Sequence, residues 1–231
     1  MTNHDERPSN TAQSTESRPL SRTAYERIEE LLNSGTLRPG QVVSQRELVE
    51  MTDATLGSIR IAIPRLEAEG LLQTLPKRGL MIPSLDVTFV RDAYQLRRLI
   101  EVGALETAAS ALDRALVDDW IERHLSMLAQ VERTMNSEMT AEMQSLDWQM
   151  HESIVASMGN RLIDNTYRVT SIKIRMVVQS RLQITSGNAK RVLEEHLAFL
   201  RPLAEGDTDS ARVALTRHID NSLALALGTR L

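Results

Sequence analysis

The chain contains no cysteine, which excludes a disulfide scaffold, a thiolate metal site and a cysteine nucleophile and fits a reducing compartment. Aromatic residues make up only 3% of it. The interior must therefore be aliphatic, and the abundance of Ala, Leu, Glu, Arg and Met predicts that it is mostly helical. No apolar run approaches the roughly 18 residues that a membrane span requires, and the polar N-terminus lacks the apolar core of a signal peptide. A soluble, cytoplasmic protein with no membrane partner is expected. What is present is ordinary for a globular chain: 231 residues, 42% apolar and 25% charged, enough for one or two domains.

The net charge of −4 argues at first sight against a nucleic-acid partner, but the average conceals the placement. Residues 20–84 carry 8 basic and 8 acidic side chains. The acids Glu26, Glu29 and Glu30 come early, whereas Arg60, Arg65, Lys77 and Arg78 come late, so a modest basic face can form.

Residues 1–19 hold almost nothing apolar and are expected to be a disordered tail. From Leu20 the pattern is helical: Tyr25, Ile28, Leu31 and Leu32 share a face, ended by Asn33-Ser34-Gly35. Pro39-Gly40 marks a turn. Ser44-Gln45-Arg46-Glu47 has the form of a capping box opening a short helix. Thr55 can cap a third helix, with Ile59, Ala62, Ile63 and Leu66 on one side and Gly70 at its end. Two short apolar runs, 71–75 and 80–83, flank the basic loop Pro76-Lys77-Arg78-Gly79 and predict a β-hairpin. Three short helices and a hairpin with a basic tip outline a winged helix-turn-helix over 20–84. Residues 85–231 predict an all-α bundle of six helices: one from Asp86 to about 112, then 115–136, 138–158, 160–184, 188–205 and 208–227.

Of the five histidines, His4 and His124 are expected to be solvated. The other three stand in a pattern. Asp147 and His151 are four apart and project from one helix face. His196 precedes Asp207 by 11 residues and His218 follows it by 11, so in an antiparallel hairpin turning at Gly206-Asp207 they lie at one level. One carboxylate and three imidazoles suit a divalent transition metal, zinc or nickel. An Asp/His pair alone more often binds nothing, and the spacing by itself leaves both readings open.

These segments in this order resemble the GntR family of bacterial transcriptional regulators, in the FadR-type branch whose effector domain is the helical FCD type. The N-terminal half is carried by Leu37-Arg38-Pro39-Gly40, Ser44-Gln45-Arg46-Glu47-Leu48, Arg65 to Leu71 and Pro76 to Gly79. The C-terminal half is carried by Leu96 to Glu101, Asp147 to His151, Gly159-Asn160, Glu195-His196, Gly206-Asp207 and His218. Six C-terminal helices point to the shorter, VanR-like subgroup. The resemblance implies metal ligation by Asp147, His151, His196 and His218. It also implies pairing of Arg97 with an effector carboxylate, with Arg175 as a second effector contact. For the reading head it implies DNA contacts from Arg46, Thr55, Gly57, Ser58 and Arg60, with Arg78 and Gly79 on the wing. The chain departs from the family at Asp53, where the helix-turn-helix corner is often Gly, and at Leu56, Ser58 and Ile61. Pro64, inside the expected recognition helix, predicts a kink. Met150 stands where an aromatic usually precedes the ligand histidine.

The function that follows is a ligand-responsive repressor of a catabolic operon. It would bind a palindromic double-stranded operator as a homodimer and sense a small carboxylate at a metal, zinc before nickel. Two other readings are a sensor for which the ion is itself the signal, and a metal-dependent hydrolase or lyase using Glu152, Glu194 or Glu195 as general base.

Overall fold

A computed structural model describes residues 20–131, 133, 136–182 and 186–229. The expected N-terminal tail lies outside them. The N-terminal part comprises α1 (Leu20–Asn33), β1 (Val42–Val43), α2 (Gln45–Thr52), α3 (Leu56–Ala68), β2 (Gln73–Leu75) and β3 (Gly79–Met81). Ser44 caps α2 in a reciprocal box: its hydroxyl accepts from the Glu47 amide at 3.1 Å, and the Glu47 carboxylate accepts from the Ser44 amide at 2.7 Å. Thr55 caps α3. The corner between these helices is Asp53 in the left-handed conformation at φ 49°, which a short polar side chain tolerates better than most. Helix α3 continues through the exposed Pro64, where the missing N–H leaves the Arg60 carbonyl without its helical donor.

The expected hairpin is present as β2 and β3, but the sheet has a third strand. β1 pairs antiparallel with β3 (Val42 opposite Met81, Val43 opposite Leu80), giving the order β1-β3-β2. Two residues are too few to display an alternation, so nothing in the sequence pattern marked β1. Gly79 sits where β1 crosses closest. Its φ is +113°, and a Cβ there would lie 2.7 Å from the Val43 carbonyl oxygen. Gly79→Ala is therefore expected to push β1 from β3 and destabilise the N-terminal domain by about 1–3 kcal/mol. An unchanged urea midpoint would contradict this.

The rest of the described chain is helical: α4 (Val87–Ala111), α5 (Arg114–Gln130), α6 (Ser137–Ala156), α7 (Arg161–Arg181), α8 (Ser186–Glu205) and α9 (Thr208–Ala226). Helix α5 stops about six residues before the expected 136. No Gly or Pro marks that end; the signal is Asn136, whose side chain caps α6 by accepting from the Met139 amide. Asp86, Asn160 and Asp207 cap α4, α7 and α9. Gly206, at φ 78°, supplies the left-handed turn between α8 and α9.

Helix α4 is central and packs on α6, α7, α8 and α9. Its buried stripe runs Val90, Ala93, Tyr94, Arg97, Glu101, Ala104, Leu105 and Ala108. Two charged residues thus interrupt an otherwise apolar face. Helices α8 and α9 form a closely packed hairpin, whereas α6 packs chiefly on α4, α5 and α7 rather than on that hairpin.

Candidate metal centre and reading head

Asp147 and His151 project from the inner face of α6, between the buried Met143, Leu146, Met150 and Ile154. His196 on α8 and His218 on α9 meet them across the bundle. The two hairpin imidazoles have ring centroids 4.7 Å apart, and His151 lies 5.6 and 5.5 Å from them. One donor atom from each of the four residues falls within 4.8 Å of every other. All three histidines are buried, and the fully buried Phe199 packs against each of their rings.

The outward-facing nitrogens each approach a polar group. His151 Nδ1 lies 2.7 Å from Glu101 Oε2, and His218 Nδ1 lies 3.0 Å from Glu195 Oε2. His196 Nδ1 lies 2.9 Å from His124 Nε2. The three Nε2 atoms are left facing inward. Those of His151 and His196 are buried without a hydrogen-bond partner. His196 Nε2 is only 3.0 Å from Asp147 Oδ1, and His151 Nε2 is 3.6 Å from it. These donors crowd together without aligning on one another, which is unfavourable between buried polar groups unless something sits among them. Three imidazole nitrogens and a carboxylate oxygen, each ring oriented by an outer partner, fit a divalent transition ion.

The charges agree. Burial raises the Asp147 carboxyl, but the neighbouring imidazoles of His151 and His196 hold it well below its ordinary range. Burial pushes His218 down to about 3 against the opposing Glu195 hydrogen bond, and it also depresses His196 despite Asp147. Both are neutral and ready to ligate. In His151 the effect of burial is outweighed by Glu101 and Asp147, so its pKa is raised. Burial raises Glu101 too, but Arg97 and His151 bring it down to about 2.

His124 contradicts the expectation of a solvated side chain. It is 1% exposed, and its Nδ1 faces the Trp120 carbonyl at 2.7 Å. Burial and the neighbouring His196 bring its pKa down to about 4. A signal existed: position 124 is in helical phase with Val117, Trp120 and Met127, all buried on α5. The charged neighbours in sequence lie on the other faces.

Arg97 is buried, with Nε donating to Glu101 Oε1 at 2.7 Å. Arg97 and Glu101 stand four apart on α4 and form an ion pair inside the domain. Two small cavities flank the centre, of about 30 and 50 Å³, and both are lined by Arg97 and Asp147. Arg175 lines the first, paired with Glu152 and stacked 4.4 Å over the Trp148 ring. Beside that cavity, Trp148 Nε1 and Arg175 Nε are buried donors without an acceptor. A larger crevice of about 820 Å³, lined by Ser34, Arg38 and Arg181 among others, lies at the junction with the N-terminal domain and away from this chemistry. Of the three glutamates considered as a general base, Glu195 is held by His218, Arg191 and Asn221, and Glu152 by Arg175. Glu194 lines a groove beside Leu128 and Arg201, away from the centre.

In the winged helix-turn-helix, Arg46, Gly57, Arg60 and Arg78 are exposed. Arg46 lies 4.0 Å from Glu50, and Arg60 Nε donates to Gln45 at 3.2 Å. A Cβ on Gly57 would meet nothing closer than Thr55 Oγ1 at 3.8 Å, so that surface is open to close approach. Ser58 is 3% exposed, and its hydroxyl is 2.9 Å from that of Thr55. Its side chain serves the cap. Leu56 and Ile61 stand exposed on the same helix.

The two halves join along α1 and α7. Arg168 of α7 pairs with Glu29 and donates to Glu69 at 3.3 Å and to the Tyr25 hydroxyl at 2.8 Å. The guanidinium of Arg65 covers the Tyr25 ring at 3.8 Å. The preceding residue, Tyr167, donates to Glu101 Oε1 at 2.6 Å.

Residues 92–221 match the FCD domain, and residues 20–82 match the family described as bacterial regulatory proteins, gntR family. An HTH-type transcriptional regulator from an unstable DNA locus of Streptomyces ambofaciens is 26% identical over 206 residues, covering 89% of this chain and 84% of that protein. Among solved structures, E. coli McbR/YncC superposes with a TM-score of 0.70 at 14% identity, covering 91% of this chain and 98% of that one. A GntR transcriptional regulator from Rhodococcus sp. RHA1 gives 0.67 at 20% identity, covering 92% and 99%. At such identities the structures share the fold.

Proposed function

The chain belongs to the GntR family of bacterial regulatory proteins, with an FCD domain behind its helix-turn-helix, and from that premise we propose that it is a ligand-responsive repressor of a catabolic operon. It acts as a homodimer on a palindromic operator. A divalent ion, zinc in preference to nickel, is held by Asp147, His151, His196 and His218, and a small carboxylate metabolite binds beside it. When bound, the ion supplies a positive centre that attracts the effector's carboxylate. Arg97 orients that carboxylate through its Nη groups, since Nε is engaged by Glu101. Trp148 Nε1 and Arg175 Nε, buried and unpaired, offer donors to the rest of the guest.

The observation that carries the responsive reading is the position of α7. Tyr167 reaches Glu101, which contacts both Arg97 and His151, while Arg168 reaches three residues of the N-terminal domain. A guest that rearranges the Arg97–Glu101 pair therefore acts on the helix that holds the reading head. It releases DNA only if it binds the released arrangement more tightly. The ion as sole signal is weighed against by three outer-sphere partners and buried donors, which suit a resident ion.

The test starts from an operator selected out of random duplexes with the zinc-loaded protein. Arg60→Ala is expected to weaken binding by about 1–3 kcal/mol and relax preference at one base step. Arg78→Ala is expected to weaken all sequences alike and reduce the salt slope by about one. If both variants bind like the wild type, the assignment of the reading surface fails. A panel of small carboxylic acids should contain members that release this duplex from the wild type but not from Arg97→Met. A panel without effect on either would remove the effector class.

A further inference from the structure

The outer partners of the three histidines are not alike. His151 and His218 each face a carboxylate, which can only accept, so their Nδ1 atoms carry the proton and their Nε2 lone pairs are free for an ion. His196 faces another imidazole, which can donate or accept. Its neighbour on the other side, Asp147 Oδ1, lies 3.0 Å from Nε2 and draws a proton to that nitrogen. A proton there closes the site to metal. Something must hold it on Nδ1.

We propose that His124 is a positioning residue that fixes His196 in the tautomer with a free Nε2. The inference rests on the metal-centre reading and adds to it the group that decides which nitrogen of His196 is available. The argument runs along a chain of hydrogen bonds with a single polarity. The Trp120 carbonyl has lone pairs and no proton, and it lies 2.7 Å from His124 Nδ1, so that nitrogen donates. In a neutral ring the other nitrogen then accepts, and His124 Nε2, 2.9 Å from His196 Nδ1, takes the proton of His196. His196 Nε2 is left with its lone pair directed among the other three donors. The reverse polarity would set the bare Nδ1 of His124 against a carbonyl oxygen, two buried acceptors at hydrogen-bond distance. The His124–His196 contact is itself a hydrogen bond between buried rings. Ring orientation is fixed as well, since the centroids of His124 and His196 stand 5.1 Å apart in an edge-on arrangement. Such outer-sphere groups typically govern metal affinity by 10- to 100-fold.

Two substitutions separate the hydrogen bond from mere filling of space. His124→Phe keeps a ring but removes the acceptor. His124→Gln offers an amide oxygen to His196 and an amide N–H to Trp120. Zinc affinity is measured on the full-length proteins by competition with a chromogenic chelator, and the tautomers are read from imidazole nitrogen shifts of histidine-labelled, zinc-free protein. The expected result is a 10- to 100-fold loss of zinc affinity in His124→Phe and about threefold or less in His124→Gln. Wild-type His196 should show a protonated Nδ1 and a bare Nε2. Wild-type affinity in His124→Phe, or equal losses in both variants, overturns the positioning role while leaving the metal centre standing. So does a protonated Nε2 on His196 in the wild type, a measurement that needs neither variant to fold. A wild-type chain that takes up no zinc overturns the metal centre, and the positioning role with it.

Discussion

Glu101→Ala is expected to destabilise the protein by about 3–5 kcal/mol, the range for removing one member of a buried ion pair. In a chain of this size that corresponds to a fall in Tm on the order of 10 °C. Glu101 is fully buried and meets three groups: Oε1 accepts from Arg97 Nε and from the Tyr167 hydroxyl, and Oε2 faces His151 Nδ1. Its removal leaves a buried guanidinium without a counter-charge and a buried phenol without an acceptor. The double variant Arg97→Met/Glu101→Leu removes both charges and should recover most of the lost stability. A double variant as unstable as the single one would show that the damage comes from the shape of the cavity rather than from the unpaired charge.

The same residue gives a pH signature. Its folded pKa of about 2 lies below the unfolded value of about 4.3. The stabilisation it contributes is therefore complete above the unfolded value and is lost as pH falls through the interval down to about 2. The stability of Glu101→Gln should accordingly fall less steeply than that of the wild type between pH 4.5 and 2. Parallel curves in the acid range would contradict the pairing.

The second large effect is expected from the ion. Zinc at 100 times its dissociation constant should stabilise the folded chain by about 2.7 kcal/mol, seen as a rise in Tm on the order of 5–10 °C that a chelator reverses. His218→Ala should abolish both the shift and the bound zinc in elemental analysis. In this variant Glu195 keeps Arg191 and Asn221 on Oε1 and loses the His218 contact on Oε2. In His196→Ala, by contrast, the acceptor on His124 is orphaned as well. Zinc content equal to wild type in His218→Ala would remove that residue from the ligand set.

Much of this architecture is written in local pattern. The caps at Ser44, Thr55, Asp86, Asn160 and Asp207 mark helix starts because each satisfies amides within three residues of itself. The approach of His196 to His218 is legible because a hairpin mirrors sequence distance about its turn. Asp147 and His151 share a face by helical period alone. What stayed hidden depends on partners remote in the chain. The Tyr25–Arg168 contact spans 143 residues, and no periodicity announces it. The unpaired donors of Trp148 and Arg175 become meaningful only beside a cavity. β1 owes its existence to β3 rather than to its own two residues. The burial of Ser58 follows from the cap at Thr55, toward which its hydroxyl turns. His124 has charged sequence neighbours that suggest exposure, yet its phase on α5 places it inward.

Helix α6 lies mainly against α4, α5 and α7, whereas His196 and His218 belong to the α8–α9 pair. An ion bridging them would span a loop of chain from His151 to His218 and tie together two parts of the bundle that share little other surface, as a cross-link does when it removes open conformations. Without it, the α6 amides should be among the first of the bundle to exchange with deuterated solvent, by local opening rather than global unfolding. The affinity for the ion would then set how often this wall of the bundle parts and admits a guest.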